Sequence, residues 1–294
     1  CTFSFHYGSD LPGLYREMSE FADRIQSLKQ DVVLEDLNVF RQAVCNLTTQ
    51  TAWPWVLEGK FCSGEQDQNP GIRIETDNDF YRFNRNYLSL LLCLVFNRYR
   101  EGVVYADEAI EQYEMALSLP ESYSVLFYDS LVRLSLLSDC SHYIRRKYLR
   151  RIRKNQKKLK LWSEKARVNV LHKLDLVQAL IFAYYGKHEQ AVQSFSRAIA
   201  GAEKNSYLND QALATEFAGR FFMSIGDEKK AGSYISRAWE LYFRWGAMAK
   251  VAHMEQNYPP LILAEKMMLL EHPAVGGNNK SQTNEGRNIR VALE

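Results

Sequence analysis

The chain has 294 residues, 46% hydrophobic and 24% charged, which is enough apolar surface for a sizeable core in one or two domains and excludes general disorder. Its 37 Lys and Arg nearly balance 35 Asp and Glu, so a net charge of +2 excludes any whole-chain argument for nucleic acid or an anionic membrane. Apolar stretches such as Leu88 to Phe96 fall far short of the roughly 20 residues that span a bilayer, so no membrane span is expected.

In chain order, Leu14, Met18, Phe21, Ile25 and Leu28 recur at three-to-four spacing. They follow a Ser9-Asp10 start signal with Pro12 in the first turn, and predict an amphipathic helix over 11–28. A second helix over 34–47 carries Leu37, Phe40, Val44 and Leu47 on its apolar side, so the two form a hairpin. Pro54, Gly59, Gly64, Pro70 and Gly71 predict an irregular connection near 54–76. The apolar run within Asn86 to Phe96 suits a helix buried on most sides. Pro120 is read as the end of the next hairpin, and Tyr123 to Leu137 as the helix after it.

From Arg145 to Lys160 the chain carries ten Lys and Arg and no Asp or Glu, while Ile144, Tyr148, Ile152, Leu159 and Trp162 supply an apolar stripe. On a helix this makes a cationic surface beside a buried face. The plain reading is a solvated outer surface. Docking of an acidic protein partner comes second, and nucleic acid or anionic lipid is disfavoured.

A hairpin pattern then occurs twice, 40 residues apart: Phe182, Gly186, Ala191, Phe195 and Ala198 recur as Phe222, Gly226, Ala231, Ile235 and Ala238. The glycines supply the positive φ of a sharp reversal, and the alanines let paired helices approach. A degenerate third copy has Asn97 in the glycine position and small residues at Gly102 and Ala109. Trp239, Tyr242 and Phe243 share a helix face, which predicts core packing, and Trp245-Gly246 closes that helix. The intervals match the turn and second helix of the tetratricopeptide repeat, whose period is about 34. The expected fold is therefore all-α: one continuous α-solenoid of tetratricopeptide-like helical hairpins over 1–272, with the first helices lining a concave face. A short helix is expected over 261–270. Residues 273–294, with Gly276-Gly277-Asn278-Asn279, carry too little apolar surface to fold and read as a flexible tail.

Chemistry-bearing motifs are missing. Gly59-Lys60 is followed by Phe61 and lacks the rest of a phosphate-binding loop, and there is no HRD, DFG or GxSxG. Six histidines include no HxxxH pair, and five cysteines include no CxxC, so no metal site, cofactor or catalytic residue is expected. His172 reads as a packed, hydrogen-bonded histidine. Dispersed single cysteines fit a reducing, cytoplasmic setting. Cys1 is not a start residue and no signal peptide follows it, so the chain reads as a piece of a longer polypeptide.

Several segments carry a family resemblance. Arg244-Trp245-Gly246-Ala247, with Ala249-Lys250-Val251, Glu255 and Tyr258-Pro259, stands near the end of the region, while Phe127-Tyr128-Asp129-Ser130-Leu131, Asn155-Gln156-Lys157-Lys158 and Leu171-His172-Lys173 stand in its middle. In this order they resemble the helical region between the AAA/STAND-type ATPase and the GAF and histidine kinase domains of large bacterial and fungal signalling kinases, which also carry a Ser/Thr-kinase-like domain. The resemblance covers most of residues 1–261. Met254, Asn97 and Gly102 depart from the family pattern, and the tail from His272 does not resemble a GAF domain.

The resemblance implies a region without catalytic residues that couples the ATPase to the sensor and kinase. Its partners would be protein domains of the same parent chain, and its interdomain contacts are expected at Arg146, Arg150, Arg153, Lys157 and Lys160. A freestanding tetratricopeptide-like adaptor that binds a peptide or protein in its concave groove is the second expectation. A catalytic domain on a repeat scaffold is a distant third.

Overall fold

The computed structural model describes residues 2–62, 79–113 and 119–259, and every regular element among them is a helix. The twelve are α1 (Thr2–His6), α2 (Leu11–Ser27), α3 (Asp31–Thr48), α4 (Asp79–Val95), α5 (Tyr99–Glu111) and α6 (Pro120–Ser135), followed by α7 (His142–Lys165), α8 (Arg167–Tyr184), α9 (His188–Lys204), α10 (Leu208–Ser224), α11 (Glu228–Trp245) and α12 (Met248–Asn257). No described helix is long and apolar enough to cross a membrane. Residues 54–62 of the expected irregular connection carry no helix. The rest of that connection, the expected helix over 261–270 and the tail 273–294 lie outside the described residues.

Local signals mark the starts of α2, α6, α7 and α11. The Asp10 carboxylate accepts from the Gly13 N–H (2.7 Å) behind Pro12, and Asp227 accepts from Lys230 N–H (3.1 Å). Pro120 corrects the sequence reading: it opens α6 from the first turn, where its missing N–H has no intrahelical partner to lose.

One reversal geometry recurs. The pairs α2/α3, α4/α5, α8/α9, α9/α10 and α10/α11 are joined by three residues whose middle member has positive φ: Lys29 (54°), Asn97 (61°), Gly186 (68°), Ser206 (61°) and Gly226 (78°). In each, the following N–H donates to a carbonyl five positions back, as in Lys187 to Phe182 (2.9 Å), Asp227 to Phe222 (3.0 Å) and Tyr207 to Ala202 (2.9 Å). This is the Schellman closure. The two glycines and Asn97 behave as their spacing predicts, while Lys29 and Ser206 adopt the same left-handed conformation without any tell-tale side chain. A left-handed serine is strained, so Ser206→Gly is expected to raise stability by about 0.5–1 kcal/mol. A lower thermal midpoint in that variant would contradict the account.

Two kinds of helix result. α6 is buried at every position from Pro120 to Leu134, α4 from Tyr87 to Val95 and α10 from Asp210 to Gly219. The helices α5, α9 and α11 bury one stripe each, built on small residues: Gly102, Ala106 and Ala109 on α5, Ala191 and Ala198 on α9, Ala231 and Ala238 on α11. The helices α4, α6, α8 and α10 also touch one another in series, making an inner row with the striped helices packed outside it. The inner and striped helices α10 and α11 approach closely at Gly219, where an added Cβ would come within 2.8 Å of the Ile235 side chain.

The two ends of the described chain meet. α12 packs on α3, His253 sits edge-on to Phe96 (5.5 Å), and an added Cβ on Gly246 would come within 2.5 Å of Pro12 Cδ. Arg220 on α10 donates to Asn97 Oδ1 (3.2 Å) and to the Tyr99 hydroxyl. The short α1 lies inside this closure: Phe5 packs edge-on to Phe40 of α3, and Asn209 Nδ2 donates to the His6 carbonyl (3.3 Å).

Candidate functional site

The outward face of α7 is where the residues expected to make interdomain contacts lie. The helix is 24 residues long and turns Ile152, Asn155, Leu159 and Ser163 into the protein. Arg146, Arg150, Arg153, Lys157 and Lys160 are all exposed. Their spacing of four, three, four and three puts them on one side of the helix along roughly 21 Å, and none of the five forms an ion pair among the described residues. Other cations of the same run are spent internally. Arg151 approaches Asp129 (3.5 Å), Arg145 donates to the Leu137 carbonyl (3.0 Å), and Lys158 lies over the Tyr113 ring (4.1 Å). Two large apolar side chains frame the exposed stripe: Tyr143 is 77% and Leu161 62% exposed. Aromatic side chains and arginine beside one another are the usual anchors of protein interfaces.

Asp129, Asn155, His172, Lys173 and Lys250, also singled out in the sequence, are buried and paired. Asp129 on α6 takes Arg133 Nε (2.6 Å) and Asn155 Nδ2 (2.6 Å), and Arg133 also reaches Asp107 on α5 (2.6 Å). His172 Nε2 lies 2.8 Å from Asp210 Oδ2, and Lys173 donates to the same oxygen. Glu216 on α10 accepts from Lys250 of α12 (2.8 Å) and from the Tyr242 hydroxyl of α11 (3.0 Å). Trp239 Nε1 donates to Glu255 (3.1 Å). Residues of the middle motifs and of the end motif thus each form ties between helices. Their acidic partners Asp210 and Glu216 went unnoticed in the sequence. The usable signal was a carboxylate on α10, among the small and apolar residues of a helix with no wet face.

These groups are too enclosed for acid–base work on a substrate. His172 is 3%, Lys173 2% and Asp210 2% exposed. Burial alone would raise the Asp210 carboxyl, but Lys173 and His172 hold it down at about 2. Burial likewise lowers His172 despite its aspartate partner, so the imidazole is held neutral beside a charged Lys–Asp pair. Burial opposes the Glu216 carboxylate too, and Lys250 with Arg220 keeps it below the ordinary glutamate value. Among the described residues, no three His, Cys, Asp or Glu side chains are placed to hold a metal ion. Cys45, Cys62, Cys93 and Cys140 are free thiols.

His253 provides a pH readout of the closure of α12 onto the Phe96 reversal after α4. Burial, with Lys250, Arg98 and Arg220 nearby and Glu216 acting against them, lowers its imidazole from 6.5 to about 4. The unfolded chain thus takes up the proton first, and the stability His253 contributes is full above pH 6.5 and falls as pH drops toward 4. His253→Asn is expected to flatten the plot of urea midpoint against pH across that window. An unchanged slope would place His253 in a wetter setting.

Comparison with protein-family models, with curated proteins and with solved structures finds no match to this chain.

Proposed function

We propose that this chain is a non-catalytic helical-repeat module, an α-solenoid of tetratricopeptide-like hairpins, in a cytoplasmic multidomain signal-transduction kinase. It links an upstream ATPase to a downstream sensor and histidine kinase by contact between surfaces. The observation that carries the reading is the outward face of α7, where five exposed cations with no ion-pair partner among the described residues run between Tyr143 and Leu161. An exposed tyrosine and leucine flanking a row of arginines and lysines suit a docking face for an acidic protein surface. The ordered resemblance of Asp129, Asn155, His172-Lys173 and the segment from Arg244 to Tyr258 supports the same assignment.

The groove-binding adaptor is less favoured. The inner row of helices is already covered near α4, α6 and α10 by the chain's own α1, with His6 Nε2 2.7 Å from Glu121 and His6 Nδ1 3.1 Å from the Tyr87 hydroxyl. A peptide entering there must first displace those contacts.

The test is charge reversal at Arg150, Arg153 and Lys157 in the parent polypeptide. Autophosphorylation output is expected to change at least several-fold, while circular dichroism and the thermal midpoint of the isolated chain stay as they were, because exposed side chains contribute little to folding. Unaltered output would remove α7 from the coupling.

A further inference from the structure

A cavity of about 360 Å³ opens beside α1, between α2, α3, α4 and the start of α6. Phe40 forms part of its inner wall, and the half-exposed Phe3 and Phe21 stand nearer solvent. The volume lies within the range of sites for small organic molecules, and such sites combine apolar walls with a few converging polar atoms. That combination is present here.

Three polar residues that line the cavity have unspent hydrogen-bonding capacity. Asn84 on α4 is 1% exposed, and neither its amide nitrogen nor its amide oxygen has a partner. Glu121 on α6 is 4% exposed; its Oε1 takes His6, but its Oε2 has no partner. The Oδ1 of Asp36 on α3 is likewise buried without one. Buried groups of this kind cost desolvation free energy that nothing within the protein returns, so each calls for an explanation. The conclusion does not depend on how the Asn84 amide is flipped, since both of its ends are unpaired.

The inventory defines the complement. The wall offers three unpaired acceptor atoms, on Asp36, Glu121 and Asn84, against one unpaired donor group, the Asn84 amide NH2 with its two hydrogens. No Lys or Arg lines the cavity, which disfavours phosphates and carboxylates. A donor-rich cationic group satisfies the acceptors and balances the carboxylates, and an aromatic ring suits the phenylalanine walls. We propose that this cavity is a binding site for a small aromatic amine, with its ring among Phe3, Phe21 and Phe40 and its ammonium toward Glu121, Asp36 and the Asn84 carbonyl. The site involves none of the α7 residues and stands apart from the coupling function.

The test is calorimetric titration of the 294-residue chain with tryptamine and phenethylamine, set against indole-3-propionate and phenylpropionate as ring-matched acids. The amines are expected to bind and the acids not. Asn84→Leu is expected to weaken amine binding at least tenfold while leaving the thermal midpoint equal or higher, because it removes an unpaired buried amide. Asp36→Asn, at a less buried position, is expected to weaken the amines and leave the folded state intact. The assignment is overturned if neither amine binds at millimolar concentration, if the acids bind as well as the amines, or if binding survives both substitutions. Ligand-observed NMR on the unaltered chain, with one amine competing against the other, keeps the test valid should either variant fail to fold; lack of mutual displacement would also overturn it.

Discussion

Asp210→Asn is expected to destabilise the protein by about 3–5 kcal/mol, read as a fall in the urea midpoint, because it strands a buried ammonium without its counter-charge. Lys173 Nζ is enclosed by the Phe127 and Tyr207 rings at 5.1 and 5.3 Å and has Asp210 as its carboxylate partner. His172 shares that carboxylate, so the substitution weakens two ties between α8 and α10 together. The contrast that isolates charge from packing is the triple change His172→Phe, Lys173→Met, Asp210→Leu, which removes every polar member at once. It should recover most of the loss, since an apolar replacement of a buried ion pair is often neutral or stabilising. A loss below about 1 kcal/mol for Asp210→Asn would mean the pair is solvated in solution.

Acid provides an independent check on the same residue. The Asp210 carboxyl is held at about 2, below its ordinary 3.8, so its contribution is present above pH 3.8 and is lost as pH falls through 2. The single substitution should abolish that part of the acid transition.

Gly246→Ala is the second large effect, at about 2–4 kcal/mol, against about 1 kcal/mol for the same change at Gly186 or Gly226. All three glycines have positive φ: 83° at Gly246, 68° at Gly186 and 78° at Gly226. An alanine at any of them carries the left-handed strain. They differ in their surroundings, for a Cβ at Gly186 or Gly226 meets nothing within 4 Å, whereas at Gly246 it meets Pro12 Cδ at 2.5 Å and Pro12 Cγ at 3.2 Å. Pro12 is a rigid ring at the start of α2, so the contact cannot be relieved by turning a flexible side chain. The difference in thermal midpoint among the three variants therefore measures how firmly the end of α11 closes on α2. Equal losses at all three would show that the ends do not hold together in solution.

The closure also bears on how a coupling module would work. The pairs that tie α8 to α10 and α10 to α12 run through the inner helices, while the stripe on α7 points away from them. On the α7 side, Asn155 and Arg151 both reach Asp129 on α6. Under the proposed function, these polar contacts are where movement of α7 would reach the inner row.

The sequence by itself determined the local features. Three-to-four apolar spacing located α2, α3, α7 and α11, because a helical period is written in one continuous segment. Gly186 and Gly226 marked two reversals, and the spacing of Arg146, Arg150, Arg153, Lys157 and Lys160 marked one outward stripe. Asn97 marked a third through its place in the degenerate copy, and the other two were silent. Lys29 and Ser206 take the same left-handed turn because helix reversal demands it, whatever the side chain.

Pairings across the fold were decided only in three dimensions. Glu216 and Lys250 are 34 residues apart, His6 and Glu121 115, and Asn209 and His6 203. No interval in the sequence indexes such partners, because which residues meet depends on how a dozen helices cross, and each crossing angle follows from side-chain packing along the whole interface. The unpaired amide of Asn84 belongs to the same class: as a letter in α4 it is one more polar residue, and only the packing of α1, α3 and α6 around it makes it a buried group facing a cavity.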